Sequence, residues 1–141
     1  MIINNEEEMI ELGYKIGKVL KKGDILLLEG DLSAGKTTLT KGIGKALGIK
    51  KIINSPTYVI MKEYQGDINL YHLDFYRLKE EDNDYDILDF IKDGITVIEW
   101  PSMKMDLVLD KYYLIKFKID GTKRILDLGE LNEKISVGYF R

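Results

Sequence analysis

The chain has 141 residues, with 21 Lys and Arg against 24 Asp and Glu and a formal net charge of −3 at pH 7. That length predicts a single domain over residues 1–141, and a slightly acidic chain is not expected to hold nucleic acid through its phosphates. The absence of cysteine excludes disulfides, cysteine-zinc sites and thiol catalysis. No apolar run approaches a membrane span and no signal pattern opens the chain, so we expect a soluble cytoplasmic protein.

The first part of the chain predicts a helix followed by a buried strand. Apolar residues recur at helical spacing over residues 5–22. Asn5 and Glu8 stand in the positions of a capping box, and Gly23 is placed to end the helix. The continuous apolar run over residues 25–29 indicates a central strand covered on both faces.

A phosphate-binding loop follows that strand and precedes a helical pattern over residues 36–47. Its spacing is G-x-x-x-x-G-K-T, starting at Gly30. Gly30 and Gly35 permit backbone angles that let successive N–H groups surround an anion, which also faces the helix N-terminus. Lys36 offers an ammonium to the terminal phosphates, and the Thr37 hydroxyl can ligate Mg²⁺. A chance match in a glycine-rich turn is the alternative, and the strand and helix on either side count against it.

The second half of the chain is dominated by strand patterns. Two of them flank a Gln-Gly-Asp turn, two others flank Asp120-Gly121, and each pair predicts a hairpin. The last residues, 131–141, show little pattern, and we expect a loosely ordered tail. The whole predicts an α/β fold, with a mostly parallel central sheet, flanking helices and antiparallel hairpins. The predicted strands are 58–64, 68–76, 95–99, 112–119 and 123–128, with a short helix over 86–91.

Two carboxylates end strand patterns, at the place where loop NTPases carry an acidic residue. Asp74 and Glu99 each follow a run of mainly apolar residues. A buried carboxylate there is costly unless it is paired or bound to a metal. Salt bridging or helix capping is the alternative for each residue, because structural ion pairs are common at such positions.

Three further residues admit both a functional and a structural interpretation. Thr57 follows Pro56 in a segment that, in many loop NTPases, bends over the γ-phosphate, and a simple turn before a strand is the alternative. His72 is the only histidine, and we favour a structural role in which its ring is hydrogen-bonded. Its place two residues before Asp74 also allows it to orient the site. Trp100 is expected to pack at its strand end rather than read bases.

Four blocks of residues together resemble the TsaE family, bacterial ATPases required for the threonylcarbamoyl modification of tRNA adenosine. The blocks stand in the order and spacing of the family, within a resemblance that covers about residues 5–128. The resemblance implies a compact P-loop fold, ATP hydrolysis with Mg²⁺, and action on the TsaD–TsaB heterodimer, which is reset between rounds of transfer. It implies that tRNA is met only through that complex. The blocks are 30–38, 55–58, 71–78 and 97–101.

The resemblance also implies a role for each matching residue. Lys36 contacts the β- and γ-phosphates, and Thr37 and Glu99 hold Mg²⁺, partly through water. Asp74 acts with Lys36 in catalysis, as the carboxylate that orients the metal shell or the attacking water. Thr57 senses the γ-phosphate, Ser102 lines the nucleotide edge, and Glu6 and Thr122 fall near peripheral nucleotide contacts by alignment alone. The implied nucleotide-binding residues are Asp31, Leu32, Ser33, Ala34, Gly35, Lys36, Thr37, Thr38, Thr57, Ser102, Glu6 and Thr122.

The chain departs from the family at two positions. The family usually has Gly where this loop has Ser33, so either a Cβ restricts the loop or the position does not need a positive φ. The family often places an acidic residue where this chain has Ser102. Of the three arginines, only Arg77 lies near the site blocks in the sequence. We therefore expect weak hydrolysis by the chain alone, with an arginine finger supplied by a partner.

Two other functions are compatible with a phosphate-binding loop. A small kinase of a metabolite or nucleotide would share the fold, although such enzymes generally use several arginines and a lid, and neither is evident in the sequence. A nucleotide-dependent binding module without turnover would need neither Asp74 nor Glu99. The presence of carboxylates at two strand ends counts against that module.

Overall fold

The computed structural model describes residues 1–31, 33–54, 61–74, 93–100, 111–138 and 140–141, with the backbone alone at Asp74 and Trp100. Within this part of the chain the strands are β1 (Ile2–Ile3), β2 (Ile25–Glu29), β3 (Met61–Tyr64), β4 (Asn69–Asp74), β5 (Gly94–Trp100), β6 (Tyr113–Asp120) and β7 (Lys123–Asp127). The helices are α1 (Glu6–Val19), α2 (Lys36–Ala46) and α3 (Leu131–Ser136).

The described strands form one mixed sheet in the order β1-β7-β6-β2-β5-β4-β3. The four central strands, β6, β2, β5 and β4, run parallel, whereas β1–β7, β6–β7 and β3–β4 pair antiparallel. The α/β prediction is confirmed, and the parallel part of the sheet is its centre. Because the central strands run parallel, their carboxyl ends meet at one edge, next to the loop that follows β2.

The sheet is covered on both faces, as the apolar run of β2 predicts. Leu26 and Leu28 face the larger core, which contains residues of α1 and α2. Ile25 and Leu27 face a second, smaller cluster on the opposite side of the sheet. A strand with this alternation has no polar face, which explains why its sequence reads as a continuous apolar run. The other buried members of the smaller cluster are Tyr71, Leu73 and Ile98.

Helix α1 begins where the sequence predicts and ends earlier. The Asn5 side chain accepts a hydrogen bond from the Glu8 N–H at 2.8 Å, which is one half of the predicted capping box. The other half is different, because the Glu8 carboxylate accepts from the Asn4 N–H at 3.0 Å. The helix ends at Val19, and the next residue is extended and fully buried. Gly23, with a φ of +93°, therefore lies in the turn before β2 rather than at the helix end.

Helices α1 and α2 approach so closely that only glycine fits at their contact. A Cβ built on Gly13 would overlap the carbonyl oxygen of Leu39, and one on Gly42 would overlap the carbonyl oxygen of Ile10. One turn further along α1, a Cβ on Gly17 would lie 2.6 Å from the Cβ of Ala46. The backbones are in direct contact, so the position of α2 follows from the position of α1.

The other predicted elements agree with the described strands, with two additions. Both hairpins form, as β3–β4 and β6–β7. The short strand β1 and the helix α3 form where the sequence shows little pattern, and the buried Leu131 joins α3 to the core. The predicted helix over 86–91 lies outside the described residues. Among the described helices, none has both the length and the apolar character to cross a membrane.

We expect Gly42→Ala to lower the free energy of unfolding by about 2 kcal/mol or more, because its methyl group meets a backbone carbonyl that cannot rotate away. Gly44→Ala is the matched control on the same helix. Its methyl group meets only the Cδ1 end of the Ile53 side chain, which can move, and alanine gains about 1 kcal/mol in helix propensity. Denaturant titration of both variants checks this, and equal stabilities would contradict the close helix contact.

Candidate functional site

The phosphate-binding loop runs from the end of β2 to the start of α2, and both of its glycines are required. A Cβ at Gly30 would lie 2.8 Å from the Cβ of Phe117 on the neighbouring strand β6. Gly35 has a φ of +101°, and a Cβ there would lie 2.7 Å from the Cε of Met9 on α1. The reason for glycine is therefore space at the first position, and both space and backbone angle at the second.

Ser33 takes a positive φ of 70°, the only such value among the described non-glycine residues. This answers the alternative left open by the sequence, because the loop does use the left-handed conformation at this position. A side chain in that conformation costs about 1–2 kcal/mol. The Ser33 carbonyl accepts a hydrogen bond from Arg124 Nη2 at 3.3 Å, so β7 helps to hold the strained loop.

Lys36 lies inside the loop, with 5% of its surface exposed. Its Nζ donates a hydrogen bond to the carbonyl oxygen of Gly30 at 2.6 Å. An ammonium has three donors, so this bond is compatible with a further contact to phosphate. Helix α2 begins at Lys36, its cap Gly35 makes no side-chain hydrogen bond, and its first turn has no acidic residue. The positive end of the helix therefore faces the loop without a carboxylate from its own first turn.

Thr37 and Glu99 meet at the mouth of the loop. The Thr37 hydroxyl donates to Glu99 Oε1 at 3.0 Å. Glu99 belongs to β5, which lies beside β2 in the sheet, and the register pairs it with Leu28, two residues before Gly30. The sequence predicts these two residues as a metal-binding pair. The structure brings their oxygen atoms together across 62 residues of sequence.

His72 lies against the same carboxylate. Its ring is fully buried, and Nε2 is 3.4 Å from Glu99 Oε1, a distance typical of an electrostatic contact rather than a full hydrogen bond. Neither ring nitrogen has a hydrogen-bond partner in the part of the chain that the structure describes. The contact supports the orienting role considered for His72, because the ring limits the positions that the Glu99 side chain can take.

The Glu99 carboxyl is buried and ionised at neutral pH. Burial by itself raises its pKa, but the contact with His72, the hydrogen bond from Thr37 and the positive charge of Lys36 outweigh that effect. Its pKa therefore lies below the ordinary value. A buried negative charge with partly satisfied oxygens has the character of a cation ligand.

Asp74 lies level with Glu99 at the same end of the sheet. The two residues are register partners on the adjacent parallel strands β4 and β5. The backbone thus places the second predicted carboxylate position beside the first. Among the described residues, no group of three or more His, Cys, Asp or Glu side chains could hold a metal by itself. A Mg²⁺ site here would therefore take phosphate oxygens and water as further ligands.

A cavity of about 290 Å³ opens beside the loop, between α1 and the β6–β7 turn. Glu6 and Thr122, predicted by alignment alone, line it together with the loop and Thr38. Arg124 lines it as well, and its guanidinium also donates to the Lys123 carbonyl at 3.1 Å. Sequence position favours Arg77, which lies near the site blocks, whereas folding brings Arg124 to the loop. The scarcity of arginine is the signal that could have found it.

The other predicted site residues stand as follows. Asp31 is exposed, and its carbonyl accepts from the Ala34 N–H at 3.2 Å, which closes a turn within the loop. Leu32, Thr57 and Ser102 lie outside the described residues, so their roles stay predictions.

Comparison with known proteins gives consistent results. Residues 3–126 match the family described as threonylcarbamoyl adenosine biosynthesis protein TsaE. The tRNA threonylcarbamoyladenosine biosynthesis protein TsaE of Bacillus subtilis is 45% identical over 98 residues, which cover 68% of this chain and 62% of that protein. Its Nostoc counterpart is 43% identical, with 70% of this chain and 61% of that protein covered. The chain thus spans about three-fifths of the length of these two relatives.

Two further similarities extend over more of the chain. The protein of the same description from Borreliella burgdorferi is 32% identical over 131 residues, which cover 88% of this chain and 94% of that protein. The crystal structure of Bacillus subtilis YdiB has a TM-score of 0.75 and 31% sequence identity, with 99% of this chain and 91% of that chain covered. The α/β fold described above is therefore shared with a solved structure.

We expect Ser33→Gly to raise the free energy of unfolding by about 0.5–1 kcal/mol, because the relief of left-handed strain exceeds the entropy cost of glycine. Ser33→Ala keeps a Cβ and serves as the control, with a change near zero. Thermal and denaturant unfolding of both variants measure the difference. Greater stability of Ser33→Ala than of Ser33→Gly would contradict a strained loop.

Proposed function

Since the chain belongs to the TsaE family of tRNA threonylcarbamoyladenosine biosynthesis proteins, we propose that it is a Mg²⁺-dependent ATPase. We further propose that it binds the TsaD–TsaB heterodimer and energises or resets that complex, meeting tRNA only through it. The observation that carries the proposal is the Thr37 hydroxyl 3.0 Å from the ionised Glu99, at the mouth of a phosphate-binding loop. A loop used only to bind phosphate would not need a buried carboxylate beside it.

The residues present fit a nucleotide with Mg²⁺. The loop offers backbone N–H groups, the start of α2 and the Lys36 ammonium, all of which favour negative charge. Thr37 and Glu99 offer oxygen atoms, the ligands that Mg²⁺ prefers. When bound, the ion would neutralise charge that develops on the phosphate oxygens. The cavity lined by Glu6, Thr122 and Arg124 adjoins the loop and offers room for the rest of the nucleotide.

Each described site residue has a definite role in this proposal. Lys36 binds and orients the terminal phosphates, and Thr37 with Glu99 holds the metal. His72 keeps the Glu99 carboxylate in place from the buried side. Asp74, level with Glu99 in the sheet register, orients the attacking water. That water forms the new bond to the γ-phosphorus as the bond to the bridging oxygen breaks, which yields ADP and phosphate.

The positions of the described arginines support activation by a partner. Arg124 is the arginine among them that contacts the loop, and it does so from the side through the Ser33 carbonyl. An arginine that stabilises the transferred phosphoryl group can change the rate by a factor of about 10³–10⁵. Arg77 lies outside the described residues, and no described arginine takes that position. We therefore propose that the chain hydrolyses ATP slowly alone and that the assembled complex supplies the missing group.

We expect the TsaD–TsaB heterodimer to stimulate ATP hydrolysis by this chain about tenfold or more. Glu99→Gln should abolish the stimulated activity, because an amide retains the shape of the side chain but loses the charge that holds Mg²⁺. Phosphate release from ATP, with and without the heterodimer and Mg²⁺, measures the effect. Glu29→Gln, at the half-buried last residue of β2, is a control for loss of one carboxylate.

The same assay separates the alternatives. Transfer of the γ-phosphate to a metabolite or nucleotide rather than to water would replace the proposal with a kinase. Full stimulated activity in Glu99→Gln would contradict the metal-holding role of Glu99. Loss of hydrolysis in Glu99→Gln with no loss of tRNA modification by the assembled complex would favour a binding module without relevant turnover. If the chain hydrolyses ATP but the heterodimer neither binds it nor stimulates it, the protein is a P-loop ATPase with another partner.

Lys36→Ala should weaken the binding of ATP with Mg²⁺ by roughly tenfold to a hundredfold, since hydrogen bonds to charged groups contribute about 1.5–3 kcal/mol. Isothermal titration of the purified chain measures it. Lys22→Ala removes an exposed lysine in the turn before β2, at the opposite end of that strand from the loop, and should bind ATP as the unchanged protein does. Normal ATP affinity in Lys36→Ala would contradict the assignment of the loop.

A further inference from the structure

The longest stretch of the chain without an acidic residue lies between residues 32 and 62. These 31 residues contain six lysines and neither Asp nor Glu. Their formal charge is +6, whereas the other 110 residues have 15 basic and 24 acidic side chains and a formal charge of −9, which together give the net −3. A segregated charge of this size on a near-neutral chain is typical of an association surface rather than of solubility alone.

Four of these lysines lie on the surface at the end of α2 and in the segment that follows it. Lys45, Lys50 and Lys51 are exposed and Lys41 is half-buried, one turn before Lys45 on the same side of the helix. None of the four ammonium groups makes an ion pair or a hydrogen bond with a side chain in the described ranges. Their charges are therefore not paired directly with a described carboxylate. We call these four lysines with Ile52 the basic docking surface.

Ile52 adds an apolar group to that surface. It is 78% exposed, whereas the adjacent Ile53 is 4% exposed and belongs to the core. The main chain on both sides is held in place, because the Ile49 N–H donates to the Gly44 carbonyl at 3.0 Å and the Asn54 N–H donates to the Tyr64 hydroxyl at 3.4 Å. Ile52 is thus presented outward by an anchored segment.

The composition of the surface indicates the class of its partner. It has lysine and isoleucine but neither arginine nor an aromatic side chain, which are the groups that stack on RNA bases. An aliphatic anchor surrounded by charge suits a protein that has an apolar recess with carboxylates around it. Glu63 and Asp67 line a recess of about 620 Å³ with Lys50 and Lys51, and they bound the surface on that side.

We infer that the basic docking surface binds an acidic face of the partner protein, with Ile52 in an apolar recess. This inference rests on the proposed function, so the partner is the TsaD–TsaB heterodimer. Helix α2 begins at Lys36 in the loop and carries Lys41 and Lys45 towards its other end, about 16 Å away at 1.5 Å per residue. A partner on this surface therefore contacts the helix whose N-terminus binds the nucleotide.

The test measures affinity for the TsaD–TsaB heterodimer in the presence of ATP and Mg²⁺, over a range of salt concentrations. The triple variant Lys45→Glu, Lys50→Glu, Lys51→Glu should bind at least about tenfold more weakly and lose most of the salt dependence. The matched control reverses three exposed lysines of β6 and β7, Lys116, Lys118 and Lys123, and should bind within about twofold of the unchanged chain.

Ile52→Ser tests the apolar anchor separately, with Val137→Ser as its control at another exposed aliphatic residue. We expect about fivefold or more weakening for Ile52→Ser, with little change in salt dependence. Thermal unfolding establishes that every variant is folded before its affinity is compared.

The outcomes distinguish this inference from the proposed function. If the unchanged chain binds the heterodimer and both lysine triples bind equally, the surface is wrong and the proposed function stands. If the unchanged chain does not bind the heterodimer at all, the proposed partner fails and the surface fails with it. If only the affinity for isolated tRNA falls in the Lys45, Lys50 and Lys51 variant, the surface is an RNA site and the protein-docking inference is overturned.

Discussion

The direct backbone contact between α1 and α2 is the constraint on which the site depends. Gly13 and Gly42 allow the two helices to touch without intervening side chains. The same approach brings Met9 of α1 against Gly35, where α2 begins. The loop conformation, the direction of α2 and the width of the side cavity are therefore set together. A change that separates the helices would alter all three, even far from any group that contacts a nucleotide.

The second determinant is a charge that the fold keeps inside the protein. Glu99 is 5% exposed, yet its pKa lies below the ordinary value despite burial, through its contacts with His72 and Thr37 and the charge of Lys36. Holding that charge costs free energy that a neutral side chain would save. Such an expense is usual where function rather than stability decides the residue. The strained Ser33 at the opposite side of the loop belongs to the same category.

The segregation of charge links these local features to the proposed work of the protein. All acidic residues lie in the remainder of the chain, whereas lysine is the only charged residue type in residues 32–62. Most of the nucleotide loop, from residue 32 onward, and the whole basic docking surface lie within that segment. In the proposed function, one helix has a phosphate-binding end and a partner-facing end, which would connect nucleotide state with association.

Features that depend on neighbours along the chain can be predicted from the residues alone. The spacing of Gly30, Gly35, Lys36 and Thr37 predicts the loop, and apolar periodicity predicts the central strand, both described hairpins and the first two helices. Local rules were weaker at the ends of elements. Helix α1 stops at Val19 because the buried Leu20 takes an extended conformation, and packing decides that.

Which distant residues meet depends instead on how the strands and helices pack in three dimensions. The 3.0 Å contact of Thr37 with Glu99 depends on β2 and β5 being neighbours in register, which no local pattern specifies. Arg124 is 91 residues from Ser33 in the chain. It reaches the loop because β7 pairs with β6 and β6 pairs with β2, the strand that leads into the loop. The positive φ of Ser33 likewise arises from closing the loop between two packed elements, so its residue type alone could not reveal it.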